Sequence, residues 1–234
     1  MNNFFRQKTR RIPARNIGKL TALLLLPATL AALASCSGKT DYSEYVSELR
    51  SNVLTGEYNN LSLRVYATEK ETPYAADGYC RETTPRAEIW LTAPTGIDSY
   101  EISFLYDGRE YGGDMSFDNV KTEYYYSCTL DISEAAQIDF TVSWEDGSAE
   151  LSAASVRTED MLSPKQILEK VRTAESEKFS SMTDRNGFRG EIYMRLIYED
   201  APYYYLGIID RDGGILALLV DSKDGKIQIG RARV

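Results

Sequence analysis

Histidine does not occur anywhere in the 234 residues. Its absence removes Ser-His-Asp and Cys-His nucleophile systems, the HExxH zinc signature and most zinc or copper sites in one step. No Gly-x-Ser-x-Gly elbow, Walker loop or dinucleotide-binding glycine pattern stands in for them. What remains is carboxylate chemistry, such as a glycosidase acid/base pair. With 35 acidic residues spread over turns and polar faces, the sequence singles out no such pair. A long apolar run is missing too. Residues 20–33 form an apolar stretch that contains Pro27, shorter than the roughly 20 residues a membrane-crossing helix needs. The third absence is local: no acid occurs in residues 1–35.

Those first residues instead carry Arg6, Lys8, Arg10, Arg11, Arg15 and Lys19, followed directly by the apolar stretch. This is the layout of a signal peptide. The stretch ends in Leu33-Ala34-Ser35-Cys36, which resembles the bacterial lipobox: a branched residue, two small residues, then a cysteine. The resemblance implies that Cys36 is lipidated on its thiol and becomes the first residue after cleavage. An ordinary secretory signal with an incidental cysteine is the alternative. Thr9-Arg10-Arg11 also hints at a twin-arginine signal, against which the following Pro13 and Ala14 weigh.

Cleavage at that point takes away six of 27 basic residues and none of the acids, so 21 cations face 35 anions and the formal charge becomes −14. Nucleic acid is excluded as a partner on that balance, because its binding rests on neutralising phosphates. An anionic lipid surface is repelled as well, so the membrane is expected to be held through the N-terminal lipid alone. Cys80 and Cys128 then remain. In an oxidising compartment they can bridge, closing a loop for which chain entropy estimates about 4 kcal/mol; two free buried thiols are the other reading.

After Cys36 only residues 37–40 precede a predicted helix. Thr40 or Asp41 serves as its cap, and Tyr42, Tyr45, Val46, Leu49 and Val53 recur at helical spacing. From residue 60 to 156 the period changes to two. Leu61, Leu63 and Val65; Ala87, Ile89 and Leu91; Tyr100, Ile102 and Phe104; Tyr111, Met115 and Phe117; Tyr126, Cys128 and Leu130; Ile138, Phe140, Val142 and Trp144; and Leu151 and Ala153 mark seven short strands. Asp107-Gly108 and Asp146-Gly147 supply turns. The sum is an antiparallel β-sandwich of immunoglobulin-like architecture. Membership of the immunoglobulin family does not follow, although Tyr126-Ser127-Cys128 imitates its strand, because Trp90 alternates with Ile89 and Leu91 and so falls on the polar face.

Ser163-Pro164-Lys165-Gln166 begins a second helix: a serine cap, proline at the first position and a glutamine able to complete a capping box. Ile167, Leu168, Val171, Ala174, Phe179 and Met182 form its apolar stripe. Strands are expected at 188–198, 203–210, 215–221 and 226–232. The second and third are apolar on both faces, one for the helix and one expected to meet the sandwich. This helix and sheet, with Leu219-Val220-Asp221-Ser222-Lys223-Asp224-Gly225-Lys226-Ile227, resembles the PepSY family, whose repeats close on a similar Val-Asp-Ala-x-Thr-Gly-Lys-Val run; Ser222 and Asp224 depart from it. The resemblance implies an extracytoplasmic module that contacts or restrains peptidases or other partners.

The expected organisation is therefore mainly β with an α+β end: signal peptide 1–35; lipid anchor, tether and N-terminal helix 36–58; β-sandwich 59–158; helix-plus-antiparallel-sheet domain 159–234. Asp210-x-Asp212-Gly213 and Asp221-x-x-Asp224-Gly225 lack the full calcium-loop spacing and read as turns. No metal, cofactor or catalytic residue is assigned. A contact surface is placed at the long loop 68–84, with Tyr74 and Tyr79, and at outward Trp90 and Tyr125, which in the plainest packing the second domain covers. The expected role is a non-catalytic binding, scaffolding or inhibitory module on the extracytoplasmic face of the membrane, engaging an envelope protein, peptide or glycan. The alternative is a carboxylate-based glycan hydrolase, recognisable by two carboxylates about 5–9.5 Å apart in a cleft.

Overall fold

The computed structural model describes residues 40–233 apart from 95 and 98, so the expected signal peptide, the lipobox-like run 33–36 and Cys36 lie outside the described residues. Within that range the period-two segments are strands. β1 is Val46–Tyr58, β2 Leu61–Glu71, β3 Thr83–Thr92, β4 Glu101–Tyr106, β5 Arg109–Asp114, β6 Ser116–Asp118, β7 Glu123–Cys128, β8 Gln137–Trp144 and β9 Gly147–Ser155. All pair antiparallel with their neighbours, in the orders β1-β2-β3-β7-β6 and β5-β4-β8-β9. Leu61, Leu63, Val65, Ile89 and Leu91 of the first layer meet Ile102, Phe104, Phe140, Val142 and Leu151 of the second in one buried core. Each such side chain contributes about 1.5–3 kcal/mol of burial. Asp107 and Gly108, both at positive φ (48° and 74°), make the tight turn between β4 and β5.

The segment 41–53 is not a helix. A single 3-10 turn, Tyr42–Tyr45, is capped by Asp41, whose Oδ1 accepts from the Ser43 amide at 3.0 Å. The chain then enters β1. Two register shifts, between Val46 and Glu48 and between Arg50 and Asn52, break the strand's alternation. Each inserts a residue, so apolar positions fall three or four apart and imitate a helical stripe. Pairing on both edges overrides that local signal.

β1 is the seam of the molecule. Its first half pairs in parallel with β12 (Gly190–Tyr198), while Leu54 and Thr55 pair with β9 on the same edge. β12 continues antiparallel into β13 (Pro202–Asp210), β14 (Ile215–Asp221) and β15 (Ile227–Arg233). The sheet therefore runs without interruption from β15 to β6. Helix α1 (Pro164–Ala174) carries the expected capping box between Ser163 and Gln166. It is followed by a short α2 (Ser176–Ser181) and a two-residue hairpin, β10 (Thr183–Asp184) with β11 (Gly187–Phe188). Ile167, Leu168, Val171 and Phe179 pack on Ile192, Met194, Leu196, Leu206, Ile208 and Leu218 as a second core, joined by Val53 of β1. Tyr42 and Tyr45 close its end with edge-to-face contacts on Phe179 and Phe188 at 4.9–5.3 Å.

The chain is thus mainly antiparallel β, a sandwich followed by a helix-and-sheet part. The other face of β12 to β14 does not dock on the sandwich layers. Ile197, Tyr203, Tyr205, Ala217 and Leu219 stay half-buried there, and the β2–β3 loop covers the end of the face at Glu191 and Arg211, where Tyr74 meets Glu191 and Gly78 lies against the Arg211 backbone. That loop is shorter than its composition suggests, since the β2–β3 ladder extends to Glu71 opposite Thr83. Among the described residues no helix is long and apolar enough to cross a membrane.

Candidate functional site

Strand alternation sends one set of side chains inward and leaves the other on the opposite face of β13, β12, β1, β2, β3 and β7. Register aligns that outer set in cross-strand rows. Tyr205, Arg195, Arg50, Thr68 and Arg86 follow one another in one row. Tyr193, Glu48, Lys70 and Thr84 lie in the next. Arg64, Trp90 and Tyr125 are aligned further along. A face of charged and aromatic groups results, with few simple aliphatics.

Its charges are ordered by pairing. Arg195 grips Glu48 as a fork, Nε to Oε1 at 2.8 Å and a terminal nitrogen to Oε2 at 2.5 Å. Lys70 donates to Glu88, whose other oxygen accepts from the Thr68 hydroxyl at 3.3 Å. Arg64 pairs with Glu123, which also accepts from Thr92 at 2.9 Å. The side chains of Arg50 and Arg86, two positions of one row, make no hydrogen bond or ion pair among the described residues. The Arg50 guanidinium lies on the Tyr66 ring at 3.8 Å, and its Nε is buried without a partner. Burial lowers Arg50 below its ordinary value, opposed by Tyr66, Glu48 and Glu88.

The contact residues expected from the sequence border this face at two places. Trp90 and Tyr125 pair with ring centroids 4.4 Å apart. Their cover is not the helix-and-sheet part but Lys121, whose Nζ sits 3.2 Å above the Trp90 ring. Tyr74 and Tyr79 belong to the β2–β3 loop. Tyr79 is half-exposed beneath the Arg211 guanidinium at 4.4 Å. Tyr74 points its hydroxyl at Glu191, 3.5 Å away, and burial pushes its phenol up to about 12. The sequence missed Glu48, Arg50 and Arg195. The first two were hidden by the helical reading of 41–53; the third could be found from its alternation with Met194.

Beneath the loop sits a second cluster. Glu191 is fully enclosed, and burial together with Glu71 and Asp77 raises its carboxyl to about 7, against the Asp77 and Gly78 amides. Glu71 is equally enclosed but held by Arg81, through the backbone amide and a terminal nitrogen at 3.2 Å. Arg81 also clamps Asp77 at 2.5 Å. Cys80 lies here as a free thiol, raised to about 11 by burial, then by Glu71 and Glu191. Cys128, also free, packs at the margin of the sandwich core and is raised by burial.

The two calcium-like runs spend their carboxylates on their own turns. Asp210 accepts from the amides of Asp212 and Gly214 at 3.0 and 2.7 Å, and Asp221 from those of Lys223 and Asp224 at 2.8 and 3.2 Å. Among the described residues no group of three or more Cys, Asp or Glu side chains is placed to hold a metal ion. An apolar recess of about 370 Å³ between β1, β12 and the start of α1 has Val46, Leu49, Pro164, Leu168 and Met194 in its wall, with Glu69 as its one carboxylate. No protein-family model, curated protein or solved structure matches the chain.

Proposed function

We propose that this chain is a lipid-anchored, extracytoplasmic binding or scaffolding module, tethered through Cys36 and engaging its partner with the polar face of the continuous sheet. The observation that carries this reading is the Arg50 environment. Its neighbouring carboxylates Glu48 and Glu88 are already paired with Arg195 and Lys70, whereas Arg50, over the Tyr66 ring, remains unpaired. Arginine, tyrosine and tryptophan are the side chains that dominate binding energy at interfaces. A restraining role toward a partner enzyme rests on the PepSY-like run 219–227 alone.

The hydrolase alternative needs two reachable carboxylates. Glu71 and Glu191 are neighbours but are only 2% and 0% exposed, and the apolar recess holds a single acid. Both facts favour binding over hydrolysis. Crosslinking in intact cells, followed by recovery of the protein, tests the proposal: a discrete envelope protein, peptide or glycan is expected, and recovery of the uncrosslinked chain alone would sink it. The tether is tested separately with Cys36→Ser, which is expected to lose lipid and to stop extracting with membranes. Unchanged partitioning would refute the anchor.

A further inference from the structure

The Arg50 environment also indicates what kind of group the polar face receives. Five charged side chains converge there from four strands: Glu48 and Arg50 from β1, Lys70 from β2, Glu88 from β3 and Arg195 from β12. Two ion pairs consume four of them. Of these five the one without a counter-charge is Arg50; Arg86, across Thr68 in the same row, is a further cation without an ion pair. Lys121 approaches the same group from the β6–β7 turn, but it also faces Asp118 and Glu123.

Arg50 is held for recognition. It stands beside the register shift in β1, a feature that re-aims side chains, and its Cζ lies over the Tyr66 ring at 3.8 Å. Nε is sealed and without a partner, which leaves the terminal nitrogens as the donors able to meet a ligand. A planar fork of that kind matches a carboxylate. Arg86 has a buried, unpartnered Nε as well, but it borders a different recess with Asp131 and Glu134.

We propose that Arg50 anchors one carboxylate carried by a peptide segment of the partner. A single carboxylate is favoured over a phosphate because Glu48 and Glu88 stand beside Arg50 to repel a dianion. A peptide is favoured over a small molecule because the site is an open sheet face, whereas small ligands take concave pockets. This inference deepens the binding-module reading and rests on it.

The test observes Arg50 directly through its Nε–Hε NMR resonance in the full chain, assigned with Arg50→Lys. The probes are the blocked peptide acetyl-Ala-Glu-Ala-amide, its Gln counterpart and inorganic phosphate. The Glu peptide is expected to shift the resonance saturably, with a Kd of about 1 mM for one anchor on an open face. The Gln peptide should bind at least about tenfold more weakly. Arg50→Lys, which keeps charge but loses the fork, should weaken the Glu peptide about tenfold, and Arg50→Gln should abolish binding with an unchanged melting midpoint. Equal response to Glu and Gln peptides, tighter binding of phosphate than of the Glu peptide, or no saturable shift overturns the proposal. Crosslinking in cells separates this from the parent reading. Loss of capture in Arg50→Gln supports the anchor; equal capture by both chains removes Arg50 but keeps the module; capture by neither removes the module.

Discussion

Glu191→Gln offers the sharpest test of how the β2–β3 loop is held down. The carboxyl is enclosed by the loop, 3.5 Å from the Tyr74 hydroxyl, with Glu71 and Asp77 as its repelling neighbours and Cys80 beside it. In the folded protein it keeps its proton to about pH 7; in the unfolded chain it releases it near the ordinary 4.5. Between those values the folded state binds more protons, so its stability must fall as pH rises. The contribution is complete below about pH 4.5 and lost above about 7. At 1.36 kcal/mol per tenfold, the difference is at most about 3 kcal/mol. Asp77, Asp139 and Asp160, held below their ordinary value by side-chain hydrogen bonds from Arg81, Ser152 and Lys223, act only at lower pH. With no histidine in the chain, no imidazole titrates in the window.

Urea unfolding of the detergent-solubilised chain, followed by tryptophan fluorescence from pH 4.5 to 8, should therefore show a decline in wild type. Glu191→Gln removes the ionisation but keeps the shape. It should flatten the profile and leave the variant more stable than wild type at pH 8, by about 1–3 kcal/mol. A flat wild-type profile, or a decline that survives in Glu191→Gln, would show that the loop does not bury this carboxyl.

Three further substitutions probe the frame. Asn52 is buried at the seam, donating to the Ala135 carbonyl at 2.9 Å and accepting from the Ser155 hydroxyl at 2.7 Å; Asn52→Ala strands both partners and should cost about 1–3 kcal/mol in urea unfolding. Ser163→Ala opens the capping box of α1 and should cost about 1 kcal/mol by the same measurement. Gly207 has the Tyr193 ring where a side chain would begin, a Cβ there lying 1.8 Å from it. Gly207→Ala should therefore swing Tyr193 off Arg195 and Tyr205, visible as shifted Tyr193 ring resonances; unmoved resonances would contradict that packing.

Much of the fold was legible because its signals are local. Alternation in residues 61–65, 87–91 and 138–144 reports a half-buried strand wherever it pairs, and Ser163 to Gln166 form a helix start from four neighbouring residues. β1 was misread because its apolar spacing depends on two register shifts that only its partners impose. The face behind the second strand group was misassigned for a related reason. Apolar residues on both sides of β13 and β14 call for cover, but nothing local in 203–221 says that a loop after β2 supplies it.

The proposed binding face obeys the same logic one level up. Tyr74, Trp90 and Tyr125 stood out singly, as aromatics in a loop or on a polar face. What makes Arg50 distinct is a comparison among five charges on four strands: Glu48 goes to Arg195, Glu88 to Lys70, and one cation is left over. That remainder exists only once β1 lies between β2 and β12. Those pairings join residues about 20 positions apart on one side and nearly 150 on the other. Any substitution that reverses the helix-like misreading of 41–53 into a real helix would remove the seam, the surplus charge and the contact between the two cores together. In this chain the strand that completes the fold is also the strand that carries the candidate anchor.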